Sequence, residues 1–324
     1  MIRRNKSCGR YRFFNRLARM VRSKTNNPVG SQLQAPLSKL GLGAAQFRLD
    51  SPSTTVRGRS PEAEIGDILA IAARSGIKVF DAAASSAYGE TVVGDRLPAP
   101  CPFRVIVKTG RVDRGADHIE DEARASLKRL GLQRADAIVV QVAGDLFSPL
   151  GGEAWTRLLK LRDEGLFQRV GISVYASDDP LGVARRFKPD IIQAPASLLD
   201  QRLLADGTMA RLAEAGIEVQ MRSIFLQGLL FLPPDRVPGA LKGAATGLSR
   251  VRRMIAEGRS DPLQAALGFA LSRQEASSVI VGIASAAELQ AVVAAAMSPP
   301  PELDWNEMAL EDPTVLDPRR WAAA

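Results

Sequence analysis

The chain has 324 residues, 46% hydrophobic and 24% charged, which suits a globular protein of one large or two small domains. It contains no uninterrupted apolar run of ~18 residues, which excludes a transmembrane helix. One histidine and two cysteines without metal spacing exclude a His-rich metal centre and a disulfide framework, so no metal is expected and a reducing, cytoplasmic setting is the simplest inference. The formal charge of +8 arises in residues 1–30, which hold nine Lys/Arg and no acid. The remainder is near neutral and makes no case for nucleic-acid binding. Residues 1–35 are therefore expected to be a basic, disordered tail outside a single domain of residues 36–324. An Arg-rich targeting segment, or contact with an anionic surface through interleaved Tyr11, Phe13, Phe14, Leu17 and Val21, are the other readings.

In chain order, Lys39–Phe47 reads as a first strand running into small residues. Ser60, Pro61 and Glu62 open a helix with an N-cap serine and a first-turn proline, and Ile65, Ile68, Leu69 and Ala72 share its apolar face. Val79–Phe80 is a buried strand closing on Asp81, followed by the small residues 82–87 and a short helix from Tyr88. Phe103–Lys108 is a strand ending on a lysine. Asp117–Leu130 is an amphipathic helix whose Asp117 and Glu120 read as a capping box, leaving His118 on a surface turn. Ala137–Val142 is a strand containing Gln141; Glu153–Glu164 is a helix. Strand Gln168–Val174, helix Asp178–Phe187, strand Ile191–Ala194, helix Asp200–Ala215 and strand Ile217–Arg222 follow. Helices Ala240–Glu257 and Pro262–Arg273, strand Ser278–Val281 and helix Ser285–Ala296 complete the pattern.

Eight mostly continuous apolar strands alternating with helices predict a parallel sheet buried on both faces, in a (β/α)₈ barrel. A doubly wound sheet is the runner-up, weakened because GLGAAQ after the first strand lacks the third glycine of a dinucleotide loop. In a barrel the C-terminal strand ends converge, and Asp81, Lys108, Gln141, Ser173, Gln193 and Arg222 lie at such ends, with Tyr88 in the loop after the second. An ammonium beside a phenol lowers its pKa from about 10, and a carboxylate keeps that ammonium charged. Such a phenol can protonate a carbonyl oxygen while a cofactor supplies a hydride. A buried Asp81–Lys108 ion pair with Tyr88 packed over it is the structural alternative.

From about Lys39 to Ala296 the chain resembles the aldo-keto reductase family. The resemblance rests on Phe80-Asp81 with Tyr88-Gly89-Glu90, Val107-Lys108-Thr109, and the segments Ser126–Gln141, Leu161–Ser173, Ile191–Asp200, Arg222–Leu230 and Ser278–Leu289. It is similar to the bacterial branch with an RS-x-FLQG element, some members of which accompany cell-surface polysaccharide genes. The resemblance implies a (β/α)₈ barrel reducing aldehydes or ketones with NADPH or NADH. By position it implies Tyr88 as proton donor, Lys108 as the partner lowering its pKa, and Asp81 as the holder of Lys108. Gln141 stands where the family has a catalytic histidine; its amide can still donate a hydrogen bond to a carbonyl oxygen. Ser173 and Gln193 are expected on the nicotinamide carboxamide, with Val174 in place of the usual Asn. Arg222 takes the place of a stacking aromatic. Ser223, Gln227 and Gly228, with Ser285 at a helix start, are expected to cradle the pyrophosphate. Gly282, Ser285 and Glu288 fall at the adenosine end, where a carboxylate repels a 2′-phosphate and favours NADH. Asp81 to Tyr88 is two residues longer than the family pattern, so the placement of Tyr88 decides between two readings. One is a reductase of a small carbonyl compound or a sugar-like one. The other is an impaired barrel that binds a ligand or partner.

Overall fold

A computed structural model describes residues 35–47, 62–82 and 87–323. The basic segment 1–34 and the expected Ser60 cap lie outside the described residues. Eight strands, β1 (Leu40–Gly43), β2 (Val79–Asp81), β3 (Arg104–Lys108), β4 (Ala135–Val140), β5 (Phe167–Ser173), β6 (Ile191–Pro195), β7 (Glu218–Arg222) and β8 (Ser278–Gly282), form a closed barrel in sequence order. Every pair is parallel, and β8 closes on β1 with Leu40 opposite Val279. This is the barrel expected from the alternation of strands and helices.

The outer layer contains α1 (Glu62–Arg74), α2 (Ala87–Gly94), α3 (Ala116–Arg129), α4 (Gly151–Asp163) and α5 (Pro180–Phe187). It continues with α6 (Thr208–Glu214), α7 (Ala245–Glu257), α8 (Pro262–Ser272) and α9 (Ala286–Ala296). The apolar face expected on α1 is the buried one: Ile65, Ile68, Leu69 and Ala72. Beyond shifts at element ends, such as β4 stopping at Val140 before Gln141 and α7 starting at Ala245, two features differ from expectation. The helix expected from Asp200 to Ala215 is broken, because Gly207 turns left-handed (φ 72°) between a short turn at Arg202–Ala205 and α6. The expected capping box of α3 does not form: Gly115 is the N-cap, and Asp117 and Glu120 instead pair with Arg157 on α4. The C-terminal tryptophans pack: Trp305 lies edge-on to Phe269, and Trp321 donates to the Val315 carbonyl. No described helix is long and apolar enough to cross a membrane.

Alternate strand residues face the barrel interior. At its N-terminal base Arg104, Glu218, Arg169 and Asp136 form a ring in which each charge meets two of opposite sign. Above it Val79, Ile106, Ala137, Val139 and Ile191 make an apolar layer. Polar contact nevertheless continues upward, since Gln220 donates to Glu218 and accepts from Gln193. Burial pushes the Glu218 carboxyl up, but the Gln220 bond and the charges of Arg169 and Arg104 outweigh it and hold the group below its ordinary range. Its stabilisation is therefore full above the unfolded-state pKa and is lost as pH falls through the lower folded one. Glu218→Gln is expected to cost about 2 kcal/mol in denaturant unfolding at neutral pH, discounted for the partial exposure of the guanidiniums. The difference from wild type should shrink in acid; a constant difference would mean that packing, not charge, holds the ring.

Candidate active site

The polar column rising from β7 ends at the C-terminal face on Lys108. Arg104, Ile106 and Lys108 share the inner side of β3, so the ammonium emerges at the top of the same barrel interior. Gln193 Oε1 accepts from Lys108 Nζ while its Nε2 donates to Gln220 at 2.9 Å. Asp81, the last residue of β2, places Oδ1 3.3 Å from Lys108 Nζ, an ion pair without an aligned hydrogen bond. The Lys108 side chain is 7% exposed. Burial lowers its pKa, the Asp81 carboxylate acts to raise it, and the Arg222 charge lowers it further; the net shift is downward. Burial raises the Asp81 pKa, and Lys108 only partly opposes this. Both shifts bring proton exchange nearer to neutral pH than in free side chains.

The structure does not bring Tyr88 to this pair. Its side chain is 52% exposed and its hydroxyl donates to Glu62 Oε2 at 3.1 Å. The rotation of α2 explains the placement. Gly89, Glu90, Val92 and Val93 are buried, and Glu90 is held by Ser126 at 2.5 Å and by Arg129 at 2.7 Å on α3. Helical periodicity then puts Tyr88 and Thr91 on the opposite, outer face. The hydrogen bond to Glu62 raises the phenol pKa, the reverse of the expected effect of Lys108.

The remaining predicted residues divide. Gln141 directly follows β4, is exposed, and its amide makes no hydrogen bond among the described residues; its backbone N–H donates to Thr109 Oγ1 at 3.3 Å. Ser173 ends β5 beside Gln193, and its hydroxyl makes no hydrogen bond among the described residues. Gln193 is completely buried and its amide is committed to Lys108 and Gln220. It therefore braces the lysine, while one amide N–H and one carbonyl lone pair stay outside these two bonds. Arg222 ends β7 with Nη2 donating to the Val174 carbonyl at 2.6 Å and Nη1 to Ser223 Oγ at 3.1 Å. Its guanidinium carbon lies 4.4 Å from the centre of the Tyr175 ring, so one planar face is covered.

After β7 the backbone is left-handed at Ser223 (φ 62°), Leu226 (φ 45°), Gln227 (φ 54°) and Gly228 (φ 87°). Three of these four are not glycine, a strain of roughly 1–3 kcal/mol each that clusters at ligand-holding loops. Gly282 closes β8 opposite Gly43. Ser285 caps α9 and accepts from the Glu288 N–H at 3.2 Å. Glu288 is buried and turns Oε2 back to the Ala284 N–H at 2.7 Å. A second carboxylate arrives from α1: Glu64 Oε2 accepts from the Ala286 N–H at 2.7 Å. The helix start expected to receive phosphate thus already holds two carboxylates of the protein itself. Two clefts, of about 260 Å³ beside Asp317 and about 610 Å³ at the barrel base beside Arg104, lie away from Lys108.

Sequence reasoning missed three residues of this region. Tyr175 was findable, two positions beyond Ser173 at a strand end. Gln220 was findable as an inward polar residue two before Arg222. Glu64 was not, since its partner is 222 positions away.

A sequence model described as the Aldo/keto reductase family matches residues 39–309. An aldo-keto reductase of Mycolicibacterium smegmatis is 25% identical over 126 residues, 38% of this chain and 44% of that protein. One from Mycobacterium sp. (strain MCS) is 31% identical over 120 residues, 36% of this chain and 41% of that protein. These matches span less than half the length of either relative. The solved structure of an aldo-keto reductase from Bacillus halodurans, in its holo form, shares the fold with a TM-score of 0.65 at 21% identity, over 83% of this chain and 89% of that one.

Proposed function

The chain belongs to the aldo-keto reductase family, and we propose that it reduces an aldehyde or ketone with a nicotinamide cofactor, with Lys108 rather than Tyr88 meeting the carbonyl oxygen. The observation that carries this reading is the buried Asp81–Lys108 pair held at the barrel mouth by Gln193. The nicotinamide end of the site fits the cofactor: the Ser173 hydroxyl has no hydrogen bond among the described residues, and the left-handed Ser223–Gly228 loop edges the same face. The adenosine end fits a ribose without phosphate, because Glu64 and Glu288 already occupy the start of α9. NADH is therefore the favoured form.

When bound, a dihydronicotinamide supplies the hydride for the carbonyl carbon. Lys108 holds the carbonyl oxygen and gives it a proton from its ammonium; Gln141 donates a second hydrogen bond from its exposed amide. Asp81 keeps the ammonium charged until transfer, and solvent restores the proton afterwards. Because the acid form is the active one, kcat/KM should fall as pH rises through the Lys108 pKa. That inflection should lie below the ordinary lysine value, since burial lowers it. Asp81→Asn should move the inflection to still lower pH; an inflection that stays in place would remove Lys108 as the acid.

A second reading is favoured by one observation, the outward Tyr88 bonded to Glu62. On that reading the barrel binds a ligand without reducing it. Titrating the full-length protein with NADH and NADPH by nicotinamide fluorescence, followed by a carbonyl-substrate screen, separates the two. Saturable binding with turnover supports the reductase, and binding without turnover supports the second reading.

A further inference from the structure

Glu218, Gln220 and Arg222 occupy successive inward positions on β7, and the first two are fully engaged within the barrel. Arg104, Arg129, Arg169 and Arg202, comparably half-buried, each hold a carboxylate. Arg252 and Arg273, like Arg222, bond to neutral oxygens instead, but Arg222 differs from both in its buried Nε. Arg222 holds none among the described residues; its acceptors are the Val174 carbonyl and the Ser223 hydroxyl, both uncharged. Its Nε is buried without a hydrogen-bond partner. A guanidinium has five N–H donors, so three are without an acceptor among the described residues. The nearby carboxylate that acts on Arg222, Asp81, is already paired with Lys108. Two cations thus share one carboxylate at the mouth, and a partly desolvated cation without a counter-charge is costly. An anion arriving with a ligand would remove that cost.

We propose that the substrates of this site are aldehydes or ketones that carry a carboxylate, with the carbonyl oxygen at Lys108 and the carboxylate at Arg222. A carboxylate fits better than a phosphate because one guanidinium charge matches its single negative charge, whereas a phosphate monoester carries nearly two at neutral pH. The Tyr175 ring and the Val174 carbonyl hold the guanidinium plane in place, so little orientation is lost on binding. This assignment rests on the reductase reading above.

The test compares succinic semialdehyde with butyraldehyde, which has the same chain length but no charge, using the full-length protein and NADH. Wild type is expected to prefer succinic semialdehyde in kcat/KM. In Arg222→Met the ratio should fall about tenfold or more, mainly through KM, and Arg222→Lys should recover part of it. An unchanged ratio would overturn the proposal. So would a loss shared equally by both aldehydes together with weaker NADH binding, which would assign Arg222 to the cofactor. Replacing the carboxylate by phosphate gives the third arm: a preference for a phosphorylated aldehyde over succinic semialdehyde overturns the choice of anion. Should neither aldehyde be reduced, the reductase reading fails by itself, and calorimetric titration with succinate decides the anion site. Saturable binding lost in Arg222→Met supports it; no binding overturns it.

Discussion

Replacing Lys108 by methionine is expected to lower kcat/KM for carbonyl reduction by about 10³-fold, whereas Tyr88→Phe should change it by less than about threefold. On the proposed mechanism the first effect follows from the position of the ammonium at the top of the polar column, where a carbonyl oxygen entering the mouth would meet it. The second follows from the phenol pointing away, bonded to Glu62 on α1. Methionine keeps most of the aliphatic stem but leaves Asp81 buried without its cation, a change that costs about 3–5 kcal/mol in stability. The double replacement Asp81→Asn with Lys108→Met removes both charges and should restore much of that stability without restoring turnover. Stopped-flow measurement of hydride transfer separates the chemical step from folding loss. A thousandfold loss in Tyr88→Phe would instead return the phenol to the role that the family resemblance gave it. It would mean that α2 turns during catalysis, breaking the Glu90 contacts to Ser126 and Arg129.

Glu64→Gln is expected to tighten NADPH binding about tenfold while changing NADH binding little. One carboxylate within a few ångströms of a phosphate, in a partly solvated setting, opposes it by about 1–2 kcal/mol, which corresponds to roughly that factor. The carboxylate is held on the Ala286 N–H, so it sits where an incoming phosphate would seek the same donor. Glu288 acts differently. Its carboxylate is buried against the Ala284 N–H, and Glu288→Gln is expected to affect the α9 start more than cofactor choice. Equilibrium binding of both cofactors to wild type and the two variants checks the assignment. Equal NADPH affinity in wild type and Glu64→Gln would show that the phosphate lies elsewhere.

The barrel was legible because its information is local and repeated. Each strand is a short apolar run, each main helix carries one apolar face, and alternation of the two leaves few topologies. The placement of Asp81, Lys108 and Arg222 at one mouth was legible for a related reason: a polar residue closing an apolar strand must emerge at one end of a parallel barrel. That rule also carries Ser173 and Gln193 to the same end, but it does not say which of them is free. Gln193 bonds to Lys108 and Gln220, and only the inward pairing of β6 with β7 decides this.

By itself, then, the sequence determined the architecture and the set of polar side chains at the mouth, because strand period and chain order suffice for both. Tertiary structure alone decided how those side chains are used. Tyr88 faces outward because Glu90 locks the rotation of α2 through partners 36 and 39 residues away. The start of α9 is filled because α1, far off in the chain, packs beside it and brings Glu64. Among the described residues Arg222 pairs with no carboxylate, and the one near it is claimed by Lys108. Each outcome is a competition among groups distant in sequence for the same hydrogen-bond donor or charge, and such competition is settled only when the barrel closes.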